Sequence, residues 1–162
     1  MNISYNWLKE YIQITESPDE LSQILTDLGL EIGGVEKKES TKGGLEGLII
    51  GEVMDCWQHP NADKLRCTKV DIGRDELLNI VCGAPNVQIG QKVVVAPIGT
   101  TLFSKDDSFT IKKTKLRGEL SEGMICAEDE IGLGTSHDGI MVLPTGVKVG
   151  TLARDYFDVK EE

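Results

Sequence analysis

Lys112 to Glu130 concentrate the side chains of this chain best suited to hold an anion: a basic run, two glycine turns, an apolar run and an acidic triplet. If residues 113–117 are extended, Lys113, Lys115 and Arg117 share one face, with neighbours about 6.5 to 7 Å apart. Cations at that spacing can meet successive phosphates. Taken alone, the stretch is equally a solvated hairpin in a chain with 27% charged residues. Lys64 and Arg66 follow the turn His59-Pro60-Asn61-Ala62-Asp63, which places them at the start of a strand beside a loop, with Lys64 as a phosphate contact. Asn86 closes Val81-Cys82-Gly83-Ala84-Pro85-Asn86, where its amide either ties a turn or reads a base edge or ribose. Ser121 lies between Gly118 and Gly123 as a hydroxyl for backbone or phosphate.

Catalysis has no comparable inventory. His59 and His137 sit in turn-like contexts, and the sequence holds no G-x-S-x-G, H-E-x-x-H or Walker loop. Cys56, Cys67, Cys82 and Cys126 are 11, 15 and 44 residues apart, without a Cys-x-x-Cys pair for zinc, and read as reduced, mostly buried small apolar residues. No metal site is expected. Net charge is −10, from 17 basic and 27 acidic residues, so the chain repels a phosphate backbone at long range and any nucleic-acid contact must be local. If Lys64, Arg66, Lys113, Lys115 and Arg117 all met phosphates, the single-strand salt slope would be at most about −3.5. Trp57, Phe103 and Phe109 are the aromatics of the central region, with at least two assigned to the core, so shape and backbone recognition is expected over base stacking. The sequence shows no apolar run near 18 residues and no basic-then-apolar start, so membrane partners are not expected and the default compartment is cytoplasmic.

The positioning elements follow from patterning. Trp7, Leu8, Tyr11 and Ile12 mark a first helix after Ser4 or Asn6. Ser17, Pro18 and Glu20 form a capping box with proline at the first helical position, Leu21, Ile24, Leu25 and Leu28 supply the stripe, and Gly29 ends the second helix. An edge strand is expected over 30–39, and a domain joint at Ser40-Thr41-Lys42-Gly43-Gly44. Beyond it, short Val- and Ile-rich runs predict strands at 48–57, 65–72, 77–82, 93–97, 109–116, 123–127 and 140–143, with a short helix over 152–157. The class is mainly β: a small closed barrel with a helical α+β flank, incomplete at the C terminus. Expected divisions are 1–42, 43–146 and 147–162.

His59-Pro60-Asn61-Ala62-Asp63-Lys64-Leu65, Val81 to Val87 and Lys112 to Glu130, in this order, resemble the EMAP-like tRNA-binding OB module of several synthetases and accessory proteins. The opening Met1 to Ile12, then Leu21, Leu25, Thr26 and Gly29, then Leu30-Glu31-Ile32 and Val35-Glu36, look like the start of the bacterial phenylalanyl-tRNA synthetase β chain. That resemblance implies an OB barrel interrupting a discontinuous flanking domain of which residues 147–162 begin the return. It also implies tRNA, specifically tRNA-Phe, as partner, and assembly with the α chain as α2β2. The parent enzyme uses ATP and magnesium and carries its aminoacylation and editing sites elsewhere, so this segment is expected to be non-catalytic and without a cofactor of its own. Two alternatives stay open: an OB domain used for protein contacts within the synthetase, and a free-standing homodimeric tRNA-binding protein.

Overall fold

A computed structural model describes residues 1–38, 41–103 and 107–159; Glu39 and Ser40 of the expected strand and joint, and residues 160–162 of the expected tail, lie outside them. The chain divides into two compact units, the segment before Thr41 and Thr41–Val159.

The first unit carries two helices with well-defined ends. α1 (Tyr5–Tyr11) starts at Ser4, whose hydroxyl accepts from the Trp7 N–H at 3.1 Å. α2 (Pro18–Asp27) has the full capping box: Ser17 Oγ accepts from Glu20 N–H at 3.3 Å, and Glu20 Oε2 accepts from Ser17 N–H at 2.8 Å. It ends in a Schellman motif, with Gly29 at φ 93° and bonds from Gly29 N–H to Thr26 O (3.0 Å) and Leu30 N–H to Leu25 O (2.9 Å). Neither helix contains a buried residue, and Trp7, Tyr11, Ile24 and Leu28 stand exposed. The edge strand expected over 30–39 is absent among the described residues. Gly33-Gly34 interrupts the alternation after Ile32, which leaves too short a period-two run to pair.

The second unit is a nearly closed OB-like barrel. Its strands are β1 (Ile49–Gln58), β2 (Arg66–Asp71), β3 (Leu78–Cys82), β4 (Lys92–Pro97), β5 (Thr101–Phe103), β6 (Ser108–Thr110), β7 (Thr114–Leu116), β8 (Glu119–Ser121), β9 (Gly123–Ile125) and β10 (Val142–Leu143), followed by α3 (Ala153–Tyr156). The main sheet runs β10-β4-β1-β2-β3, all antiparallel, with β9 also on β4. Val53 pairs with Val70 but Asp55 with Lys69, so Met54 is a bulge that bends β1 around the barrel. The remaining gap, between β3 and the end of β8, is bridged by Glu122 N–H to Asn79 O at 2.7 Å and by Val81 N–H to Ser121 Oγ at 3.1 Å.

Two apolar clusters lie on opposite faces of β1 and β4. Val53, Val70, Ile80, Val93, Val95 and Ile125 fill the interior. Ile50, Val94 and Ala96 face outward and are covered by Leu45, Leu48, Leu102, Ile111, Cys126 and Ala153. This explains why Val93-Val94-Val95-Ala96 is unbroken by polar residues: both faces are covered. The chain after Gly146 lies along the free edge at the start of β1, through Gly150 N–H to Ile50 O and Ile50 N–H to Thr151 O, each 2.8 Å.

The single strand expected over 109–116 is two strands in two hairpins, β5–β6 and β7–β8. Ile111, buried between them, exchanges backbone bonds with Gly99 and Thr100 and turns the chain into the outer cluster. Cys67, Cys82 and Cys126 are buried, Cys56 is half-buried, and all four are free thiols.

Candidate nucleic-acid interface

Cross-strand partners share a face, so the pairing register decides which side chains β1, β2 and β3 present to solvent. Gln58–Arg66–Cys82, Cys56–Thr68–Ile80 and Val53–Val70–Leu78 are the inward rows. Trp57–Cys67–Val81 and Asp55–Lys69–Asn79 are therefore the outward rows. Against this outer face the β8 residues Glu119 and Leu120 close a cleft of about 250 Å³, whose walls include Trp57, Cys67 and Asn79. This is the face on which OB folds hold oligonucleotides, between the β1–β2 loop and a later loop.

The β1–β2 loop and the β7–β8 hairpin are locked together at their tips. Arg117 and Gly118 form the two-residue turn with φ of 50° and 98°, both in the left-handed region that a type I′ hairpin requires. His59 is 2% exposed. Its Nδ1 accepts from the Asn61 N–H at 3.0 Å, so the ring proton sits on Nε2, which donates to Leu116 O at 2.8 Å. Asn61 Nδ2 donates to Arg117 O, and the Arg117 guanidinium donates to Asn61 O, both at 3.3 Å.

The expected cationic ladder is only partly formed. β7 ends at Leu116, and the left-handed φ of Arg117 takes it out of the alternation that would align it with Lys113 and Lys115. Lys113 pairs with Glu122 at 3.2 Å; hydrogen bonds from Lys113 first, and then from Asn79, hold the Glu122 carboxyl below the usual carboxylate range. Lys115 is exposed opposite Leu120, and Lys64 and Lys69 are exposed as well; none of the three has an ion-pair partner among the described residues. Arg66 begins β2 on an inward row and donates to Val87 O at 3.4 Å. Asn86 clamps the loop before β10, accepting from Ile140 N–H and donating to Ile140 O, both at 3.0 Å. Ser121 is buried, its hydroxyl accepting from Val81 N–H and donating to Gly123 O at 3.1 Å each.

The acidic triplet after β9 is tied into its own loop. Glu130 accepts from Ala127 N–H at 2.7 Å, and Glu128 from Ser136 N–H at 2.9 Å. Asp129 lies 3.0 Å from the His137 ring; this hydrogen bond and its charge raise the His137 pKa above the ordinary imidazole value. Sequence reasoning passed over Lys69, Asn79 and Glu119. It also assigned at least two of the central aromatics to the core, whereas Trp57 is 39% exposed and Phe109 45%, with Phe103 half-buried. For Trp57 the bulge at Met54 is the cause, because it resets the alternation along β1 and turns the indole outward. Among the described residues no group of His, Cys, Asp and Glu is arranged to hold a metal ion, and no helix is long and apolar enough to cross a membrane.

Residues 48–152, spanning β1 to the bridge before α3, match the family described as putative tRNA binding domain. Over all 162 residues the chain is 62% identical to the phenylalanine–tRNA ligase beta subunit of Bacteroides fragilis and 60% identical to that of Bacteroides thetaiotaomicron. Over 161 residues it is 47% identical to that of Pectobacterium atrosepticum. In each case the match takes in 20% of the relative, so the chain spans about one fifth of the length of these proteins. The chain belongs to the family of putative tRNA-binding domains and, over its full length, resembles the N-terminal part of bacterial phenylalanine–tRNA ligase beta subunits.

Proposed function

We propose that this chain is the N-terminal tRNA-binding module of a phenylalanine–tRNA ligase beta subunit. It is non-catalytic in itself and serves a cytoplasmic α2β2 enzyme that uses ATP and magnesium to charge tRNA-Phe. The observation that carries this reading is the tip-to-tip lock of the β1–β2 loop, which bears the exposed Lys64, with the β7–β8 hairpin, which bears the exposed Lys115. Lys64, Lys115 and Arg117 take the phosphates, with Lys113 joining them on release from Glu122. Ser121 acts through its backbone bonds by holding the β7–β8 hairpin from which Lys115 and Arg117 project, whereas Arg66 and Asn86 act by bonding the segment after β3.

The test is fluorescence anisotropy of labelled tRNA against the chain at several salt concentrations. A log–log slope of about −2 to −3.5 is expected, and Lys64→Glu with Lys115→Glu should make it shallower by about 1.4. The −10 net charge favours one competing reading, a barrel kept for protein contacts within the synthetase. Absence of binding at low salt would select that reading and overturn the first.

A further inference from the structure

We infer that the cleft between Trp57 and β8 seats a single unstacked nucleotide whose base carries an exocyclic amino group. The inference rests on the proposed RNA-binding role and assigns that role a specific contact. Five features of the cleft point the same way. The volume, about 250 Å³, lies below the roughly 300 to 1,000 Å³ of ordinary small-molecule sites and leaves room for one planar ring system. Trp57 is the aromatic wall, and at 39% exposure it keeps a ring surface for stacking. Its neighbour in the outward row is Cys67, a small side chain that forms a floor beside the indole. Glu119 lines the opposite side, and an ionised carboxylate can only accept, which favours the amino edge of cytosine, adenine or guanine over the carbonyl edges of uracil. Lys69, exposed between Asp55 and Asn79 in the next outward row, is the cation nearest in register to the cleft and is assigned the phosphate of the same nucleotide.

The arrangement departs from the backbone-and-shape recognition expected from the scarcity of aromatics. A single well-placed indole supplies a base contact, while the acidic wall sets which bases it accepts. Glu122 beside the cleft is already paired with Lys113 and Asn79, which leaves Glu119 as the lining carboxylate without a partner among the described residues.

The chain has two tryptophans, so Trp7→Phe leaves Trp57 as the sole indole reporter. The experiment titrates this variant with the RNA trinucleotides CCC and UUU at low salt and follows tryptophan emission, with tRNA anisotropy in parallel. Saturable quenching by CCC at concentrations about ten-fold or more below those needed with UUU is expected. Trp57→Ala should weaken tRNA binding on the order of ten-fold. Glu119→Leu, at a half-buried position at the start of β8, should abolish the CCC preference with the unfolding midpoint unchanged, and Lys69→Met should make the tRNA salt slope shallower by about 0.7. If tRNA binds with the expected slope while Trp57 emission stays flat and Glu119→Leu changes nothing, the inferred contact is overturned and the module's wider role stands. If neither tRNA nor trinucleotide binds at low salt, both are overturned.

Discussion

Replacing Ser121 with alanine removes the hydroxyl that joins β3 to the far edge of the barrel. That oxygen accepts from Val81 N–H and donates to Gly123 O, each at 3.1 Å, on a residue that is 4% exposed. Alanine removes the hydroxyl that serves both backbone groups. An orphaned buried group costs about 1–3 kcal/mol, and the relief of no longer burying the hydroxyl itself offsets part of two such losses. A net destabilisation of about 2 kcal/mol is expected. With a urea dependence of about 2 kcal/mol per molar, the unfolding midpoint should fall by about 1 M. Thr135→Ala, at an exposed loop position, should stay within about 0.5 kcal/mol and serves as the control. Amide exchange gives the local readout: Val81 should lose protection in Ser121→Ala more than amides in the middle of β4. A midpoint shift below about 0.3 M, with Val81 still protected, would refute the assignment of Ser121 as the closing contact.

Two further expectations follow from the same geometry. Gly123 has no unusual φ, but a Cβ there would stand 2.9 Å from Ala96 O and 3.3 Å from Ile80 Cδ1, so Gly123→Ala should cost about 1–3 kcal/mol by forcing β9 away from β4, read by thermal or urea unfolding. For His137, an NMR titration should place the imidazole pKa above its ordinary value, and Asp129→Asn should bring it down. Because the folded-state pKa is the raised one, the stability from this contact is complete below the unfolded value of about 6.5 and is lost as pH rises through the folded value.

Local signals were legible where a short stretch of sequence determines its own geometry. Ser17-Pro18 with Glu20, and Gly29 after the apolar stripe, specify both ends of α2 because each bond involved closes within six residues. The strands β1 to β4 announce themselves by β-branched runs with turn residues between them. What was not legible depends on partners distant in sequence. Nothing near Ser121 indicates that its hydroxyl serves Val81, 40 residues earlier, and nothing near Asn86 indicates that its amide meets Ile140, 54 residues later. The ladder of Lys113, Lys115 and Arg117 is broken at Arg117 for a local reason that was visible: Arg117-Gly118 is a turn pair, and a turn ends the alternation on which the ladder was built. The outward position of Trp57 was not legible, because a bulge shifts parity without leaving a residue signature at Met54.

The tip-to-tip lock also has a consequence in populations. All three residues of β7 are exposed, and β8 is anchored on β3 rather than on the β1–β2 loop, so little apolar burial by β7 holds the hairpin tip against that loop. Its docking rests on the bonds involving His59, Asn61 and Arg117, each worth about 0.5–1.5 kcal/mol net. If docking is favoured by about 2 kcal/mol in total, roughly 3% of molecules carry an undocked hairpin at any moment. In the native sequence that fraction hardly reduces the apparent affinity of a ligand touching both tips. Each bond removed multiplies the undocked share several-fold, so substitutions that never contact RNA would weaken binding by draining the competent population. A ligand that bridges both tips would act in reverse, drawing the hairpin into its docked state.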